Sequence, residues 1–139
     1  REELDVHAMR AALEYLVSGG ALGIAPEGTR SRTGKLIQAK PGVAYLADKA
    51  RVPVVPAAVY GSEDAMYKLR HLRRPHIVLS IGKPLVFPPV DRQNRAEQLA
   101  KNTDEIMCAI AAMLPPAYRG AYAGHPRLQA LLANAVNGR

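Results

Sequence analysis

The chain contains a single cysteine, no tryptophan and one phenylalanine among its 139 residues. One cysteine can form neither a disulfide framework nor a cysteine metal cage, and Cys108 lies in the apolar run "IMCAIAAML", which indicates a small buried side chain. No apolar run reaches 18 residues, and the N-terminus shows no signal-peptide pattern, so the sequence predicts no membrane-spanning helix. The composition leaves a globular domain as the expectation, with 48% hydrophobic and 22% charged residues.

Acidic residues are scarce in the middle of the chain. Between residues 27 and 83 there are 11 Lys or Arg against 4 Asp or Glu, so this window carries the whole formal charge of +7. A basic surface of this kind favours anionic partners such as phosphorylated small molecules, acidic lipid headgroups or nucleic acid. The run "YKLRHLRRPH" at 67–76 indicates a solvated loop or, as an alternative, a contact with lipid headgroups.

The order of apolar patterns predicts an α/β fold with a mainly parallel or mixed central sheet flanked by helices. A helix is expected over residues 4–20 with Asp5 as its N-cap, and "ALGIA" at 21–25 is expected to be a buried strand. Further helices are predicted at 41–50 and 95–114, and strands at 52–61 and 76–82. We predict a domain over residues 1–114 and an appendage over 115–139 that ends in a short helix.

The segment "IAPEGTRSRTGKL" at 24–36 concentrates the residues that bind an anion. Its spacing fails the nucleotide P-loop pattern, because five residues separate Gly28 from Gly34 and Leu36 follows Lys35. Arg30 can hold a phosphate through two parallel N–H bonds, and lysines and hydroxyls can assist it. Glu27 would repel a phosphate unless it braces an arginine or accepts a bond from a ligand hydroxyl, so the expected ligand carries a phosphate and a free alcohol.

These residues, followed by "KPGVAYLA" and "VPVVPAAVYG", resemble conserved blocks of the glycerolipid acyltransferases. The resemblance covers roughly residues 1–85. It implies a glycerol-3-phosphate acyltransferase-like fold and an enzyme of phospholipid biosynthesis that moves a fatty acyl group from acyl-CoA or acyl carrier protein to 1-acyl-glycerol 3-phosphate. It also implies no cofactor or metal, and peripheral attachment at the cytoplasmic face of a membrane. The acceptor-binding residues it implies are Glu27, Gly28, Thr29, Arg30, Ser31, Lys35 and Arg1.

The catalytic pair of that family is a histidine followed, after four residues, by an aspartate. None of the four histidines here has an aspartate at that spacing. We therefore expect the domain to be N-terminally incomplete and the segment to have no acyl transfer activity alone. Two alternatives stay open: a non-enzymatic basic module that binds phosphate or RNA, and an acyltransferase acting on glycerol 3-phosphate or another lyso-lipid. The few aromatic residues in the basic window argue against RNA, and we expect no nucleic-acid partner.

Overall fold

The computed structural model describes residues 2–29, 31, 33–63 and 65–137. It contains five α-helices and two β-strands within those residues. In chain order the elements are α1 (Glu2–Val17), α2 (Gly42–Ala50), β1 (Ala57–Tyr60), α3 (Ala65–Arg70), β2 (Val78–Ile81), α4 (Arg95–Met113) and α5 (Pro126–Asn137). Two short 3-10 turns, Pro116–Tyr118 and Gly120–Tyr122, lie between α4 and α5.

The core is built around α4, because this helix packs against α2, α5 and β1. Its buried side chains recur at helical spacing, as the apolar pattern predicts. Cys108 is completely buried, in agreement with the sequence. The buried residues of α4 are Leu99, Thr103, Ile106, Met107, Cys108, Ile110 and Ala111.

Residues after position 114 contribute directly to this core. Tyr122 is 1% exposed and Leu128 is fully buried, and α5 packs along α4. The Arg127 side chain on α5 donates two hydrogen bonds to the Glu105 carboxylate on α4, at 2.6 and 2.5 Å. The division at residue 114 stays a prediction, and these contacts join both parts in one hydrophobic cluster.

The sheet differs from the expected one. The described residues form one two-stranded antiparallel sheet in which Ala57 pairs with Ile81 and Tyr60 with Val78. This combination of helices and a small sheet is compatible with the expected α/β class, whereas no parallel strand pair of the expected mainly parallel or mixed central sheet is found among the described residues. Apart from Ser80, the strand residues are apolar on both faces, a composition typical of strands that are covered on two sides. Helix α4 covers one face, whereas Val59, Leu79 and Ile81 on the other are more than half exposed.

Two local predictions are corrected. Residues 21–25 form no strand, since a strand needs a neighbouring backbone to complete its hydrogen bonds and neither β1 nor β2 pairs with this segment. Leu22 and Ile24 are consequently 41% and 42% exposed. Asp5 does not begin its helix either, because α1 starts at Glu2 and Asp5 lies within it.

Candidate functional site

The anion-binding candidate is the loop of residues 26–40, here called the motif loop, which connects the irregular segment 21–25 to α2. Its glycines allow tight bends: Gly28 has φ +67°, a conformation that is costly for residues with a Cβ. The side chain of Lys40 lies beside Gly28, with its Cδ 3.7 Å from the position a Cβ would take. The loop therefore brings residues 28 and 40, twelve positions apart in sequence, to one place.

Glu27 braces the loop through the backbone. Its Oε2 accepts a hydrogen bond from the Ile37 N–H at 2.7 Å in a half-buried position. Among the described side chains Glu27 forms no salt bridge, so the carboxylate is engaged by a backbone donor ten residues away. This contact explains why an acid can stand in an otherwise basic loop: it closes the loop on itself.

The closing half of the loop is tied to the two 3-10 turns. The Leu36 N–H donates to the Tyr118 carbonyl at 2.9 Å, and the Leu36 carbonyl accepts from the Ala121 N–H at the same distance. The Tyr122 hydroxyl accepts from the Ala39 N–H at 3.1 Å. Burial raises the pKa of this phenol, which keeps it protonated at any physiological pH.

Polar groups for a ligand remain on the outer side of the motif loop. Thr29 and Lys35 are exposed, and the Ser31 hydroxyl lies 3.3 Å from that of Thr33. Arg1 and Arg30, which the sequence also singles out, lie outside the described residues. The structure thus brings Glu27, Gly28, Ser31 and Lys35 onto one loop and leaves the two arginines as sequence predictions.

An apolar cavity of about 540 Å³ begins where the motif loop begins. Its walls come from the end of α1 and the turn after it, from the irregular segment 21–25 and Pro26, from residues 52–57 before and within β1, and from α2 and α4. Leu22, Ile24 and Pro26 line one side, and Val54 and Ile110 line others. Its size falls within the range of small-molecule sites, and its wall is mostly hydrocarbon.

Sequence reasoning missed two features of this site. The tyrosines that hold the loop lie more than 80 positions after the loop residues they contact, and their one visible signal is the pattern "AYRGAY" at 117–122. The cavity was missed because residues 21–25 were interpreted as a buried strand, which would have filled that space. Residues 52–57 line this cavity.

Groups that could hold a metal are not found in the described part of the chain: no three His, Cys, Asp or Glu side chains come together there. Within the same residues, none of the helices has the length and apolar content needed to cross a bilayer.

Comparison with known proteins gives matches to acyltransferases, and the family match includes the motif loop. Residues 1–60 match the model of the Acyltransferase family. The chain is 44% identical over 48 residues to a 1-acyl-sn-glycerol-3-phosphate acyltransferase of Cocos nucifera, a stretch that covers 34% of this chain and 16% of that protein. It is 36% identical over 62 residues to a chloroplastic 1-acyl-sn-glycerol-3-phosphate acyltransferase of Brassica napus, covering 45% of this chain and 18% of that protein. The chain thus spans less than a fifth of these curated relatives, and no solved structure matches it.

Proposed function

We propose that this chain, whose residues 1–60 match the Acyltransferase family model, is a member of the glycerolipid acyltransferases. In this proposal it supplies the acceptor site for acylation of 1-acyl-glycerol 3-phosphate to phosphatidic acid. The acyl donor in this proposal is a thioester, acyl-CoA or acyl carrier protein. The chain itself is assigned no catalytic base, because none of its histidines is followed after four residues by an aspartate. The observation that carries the proposal is the motif loop next to an apolar cavity.

The phosphate of the acceptor would bind on the motif loop. Arg30 supplies the bidentate donor, Lys35 a point charge, and Thr29 and Ser31 hydroxyl donors. Glu27 helps this site by holding the loop closed through Ile37. Gly28 has no Cβ and therefore allows the bend. We also assign Arg1 a supporting contact with the same phosphate, as the family resemblance implies.

The acyl chain already on the acceptor would occupy the cavity. Pro26 belongs to the cavity wall and is directly followed by Glu27, so the cavity wall includes the first residue of the motif loop. Burial of hydrocarbon contributes about 0.8 kcal/mol for each methylene group. A lyso-lipid is therefore expected to bind more tightly than glycerol 3-phosphate.

Binding of a short, soluble acceptor tests the proposal. We would titrate the isotope-labelled chain with glycerol 3-phosphate and with 1-hexanoyl-glycerol 3-phosphate and follow backbone amides by NMR. Both ligands are expected to shift amides of residues 27–35, and the acylated ligand alone is expected to shift the amides of residues 22–24, 54, 55 and 57. Loss of a desolvated charge-assisted bond costs about 1.5 to 3 kcal/mol, so Arg30→Ala should weaken binding about 10- to 100-fold.

Arg10→Ala is the matched control, because Arg10 is an exposed arginine on α1 paired only with Glu14. It should bind like the unaltered chain. Equal affinity of Arg30→Ala and Arg10→Ala, or saturable binding of neither ligand, would contradict the acceptor site. Tighter binding of glycerol 3-phosphate than of the acylated ligand would point to the former as the acceptor and remove the cavity from the proposal.

A further inference from the structure

A second basic feature lies away from the motif loop, in α3 and the turn after it. Residues 65–77, "AMYKLRHLRRPHI", are here called the basic segment. They contain four Lys or Arg residues and two histidines but no acidic residue. The preceding acid with a described position, Glu63, has its Cγ 3.2 Å from where a Cβ on Gly34 would stand, so it belongs to the neighbourhood of the motif loop.

The same segment exposes large apolar side chains. Met66 is 78% exposed, Tyr67 61%, Leu69 57% and Leu72 97%. No residue of α3 is buried. A short helix with apolar groups in water and cations among them has the composition of an element that lies in a membrane interface.

Leu72 stands in an unusual backbone conformation. The Arg73 N–H donates to the Lys68 carbonyl and the Leu72 N–H to that of Leu69, at 2.8 and 3.1 Å, which is the hydrogen-bond pattern of a Schellman motif. Leu72 occupies the left-handed position of that motif with φ +53°, where glycine is the usual residue. The turn therefore projects a leucine almost entirely into solvent at a position that disfavours leucine.

We propose that the basic segment docks on the surface of an anionic lipid bilayer, with Leu72, Leu69 and Met66 entering the acyl boundary and the four cations contacting headgroups. Charge complementarity selects this partner: each Lys or Arg near an anionic membrane surface favours binding about fivefold. Attraction to headgroups alone would not require exposed apolar side chains. In this proposal those side chains make the contact with the acyl boundary. The inference stands on this segment and requires neither the acceptor site nor acyl transfer.

Co-sedimentation with vesicles tests the inference. The full chain would be mixed with vesicles of phosphatidylcholine alone, and with vesicles in which about one-third of the lipid is phosphatidylglycerol. We expect binding to the anionic vesicles that weakens as salt is added, and little binding to neutral ones. Replacing Arg73 and Arg74 together by glutamine should reduce vesicle affinity about 25-fold, as two cations are removed.

Leu72→Gly separates docking from folding. Glycine fits the left-handed position, so this variant should unfold at the same or a higher urea concentration than the unaltered chain. Its affinity for anionic vesicles should nevertheless fall by up to about tenfold, because the apolar anchor is gone. Val86→Gly is the control, since Val86 is 80% exposed and lies outside the basic segment; its vesicle binding should not change.

Three results would overturn the inference: equal binding to neutral and anionic vesicles, no loss of binding in Leu72→Gly, or no vesicle binding at all. In the last case salt-sensitive binding to polyuridylate would assign the segment to nucleic acid instead. Because the assay contains no acceptor and no donor, its failure would leave the proposed function standing, and failure of acceptor binding would leave vesicle docking standing.

Discussion

Glu27 is the one carboxylate of residues 24–36, and its bond to the Ile37 backbone makes it a structural part of the motif loop. A charge-assisted hydrogen bond to a half-buried carboxylate is worth more than a neutral one, because the acceptor carries a full charge. In the proposed phosphate site the role of Glu27 would be indirect: it would fix the backbone that carries the donors.

Glu27→Ala should lower the free energy of unfolding by about 1.5 kcal/mol, because the Ile37 N–H loses its acceptor in a half-buried place. Glu27→Gln keeps a carbonyl oxygen at the same position and should cost less than about 1 kcal/mol. Urea denaturation followed by circular dichroism measures both values.

Glu14→Ala controls for the removal of a carboxylate as such. Glu14 is exposed on α1 and its salt bridge with Arg10 is also exposed, so its loss should change stability by less than about 0.5 kcal/mol. If Glu27→Ala behaved like Glu14→Ala, the bond to Ile37 would contribute nothing and the bracing role would be wrong.

At the scale of elements, the two 3-10 turns act as the support of the motif loop. They contribute the Tyr118 carbonyl, the Ala121 N–H and the Tyr122 hydroxyl to residues 36–39. The ring of Tyr122 is buried in the core, so loop position is coupled to packing around α4. The two 3-10 turns carry no candidate ligand group, yet their contacts fix the position of the loop that does.

Tyr122→Phe tests this coupling, since it keeps the packed ring and removes the acceptor for the Ala39 N–H. We expect a loss of about 1 to 2 kcal/mol in the free energy of unfolding and faster hydrogen exchange at the Ala39 amide. Tyr67→Phe, at a ring that is 61% exposed, should change neither. Unaltered protection of the Ala39 amide in Tyr122→Phe would show that the hydroxyl does not hold the loop.

Four of the five described helices could be predicted from the sequence because their signals are local: Leu99, Ile106 and Ile110 recur at helical spacing within one segment, and all three are buried. Helix α3 was not predicted, because the charged run at 67–76 indicates a solvated loop and the helix has no buried face. Residues 21–25 have an equally apolar sequence, yet a strand depends on a partner that the segment itself does not encode. The partners of the motif loop show the same limit. The bond of Glu27 to the Ile37 backbone has no signal in the sequence, and Tyr122 lies 83 positions from Ala39.

For the whole molecule, the packing of α5 on α4 determines whether residues 1–114 can fold without the rest of the chain. Leu128 is fully buried, and His125 reaches back to α4, where its Nδ1 lies 3.3 Å from the Cys108 Sγ. That nitrogen also accepts the Arg127 N–H at 3.2 Å, which caps the start of α5. Burial, with the charge of Asp104 beside it, raises the pKa of the Cys108 thiol from its usual 9.0 to about 11. The thiol is therefore protonated and enclosed, and α5 is part of what encloses it.

A chain ending at residue 114 is expected to lose cooperative folding, because it would expose the faces of α4 that Tyr122 and Leu128 cover. Burying one large side chain contributes about 1.5 to 3 kcal/mol, and a domain of this size has only about 5 to 15 kcal/mol to lose. The rate at which Cys108 reacts with a thiol reagent at pH 8 reports the change. In the full chain a protonated, buried thiol should react slowly, and in the shortened chain it should react at the rate of an unfolded cysteine. Leu131→Ala, at a half-buried position of α5, keeps the helix and should leave the thiol protected. A shortened chain with a sharp urea transition and an unreactive thiol would instead establish residues 1–114 as a domain that folds without the rest.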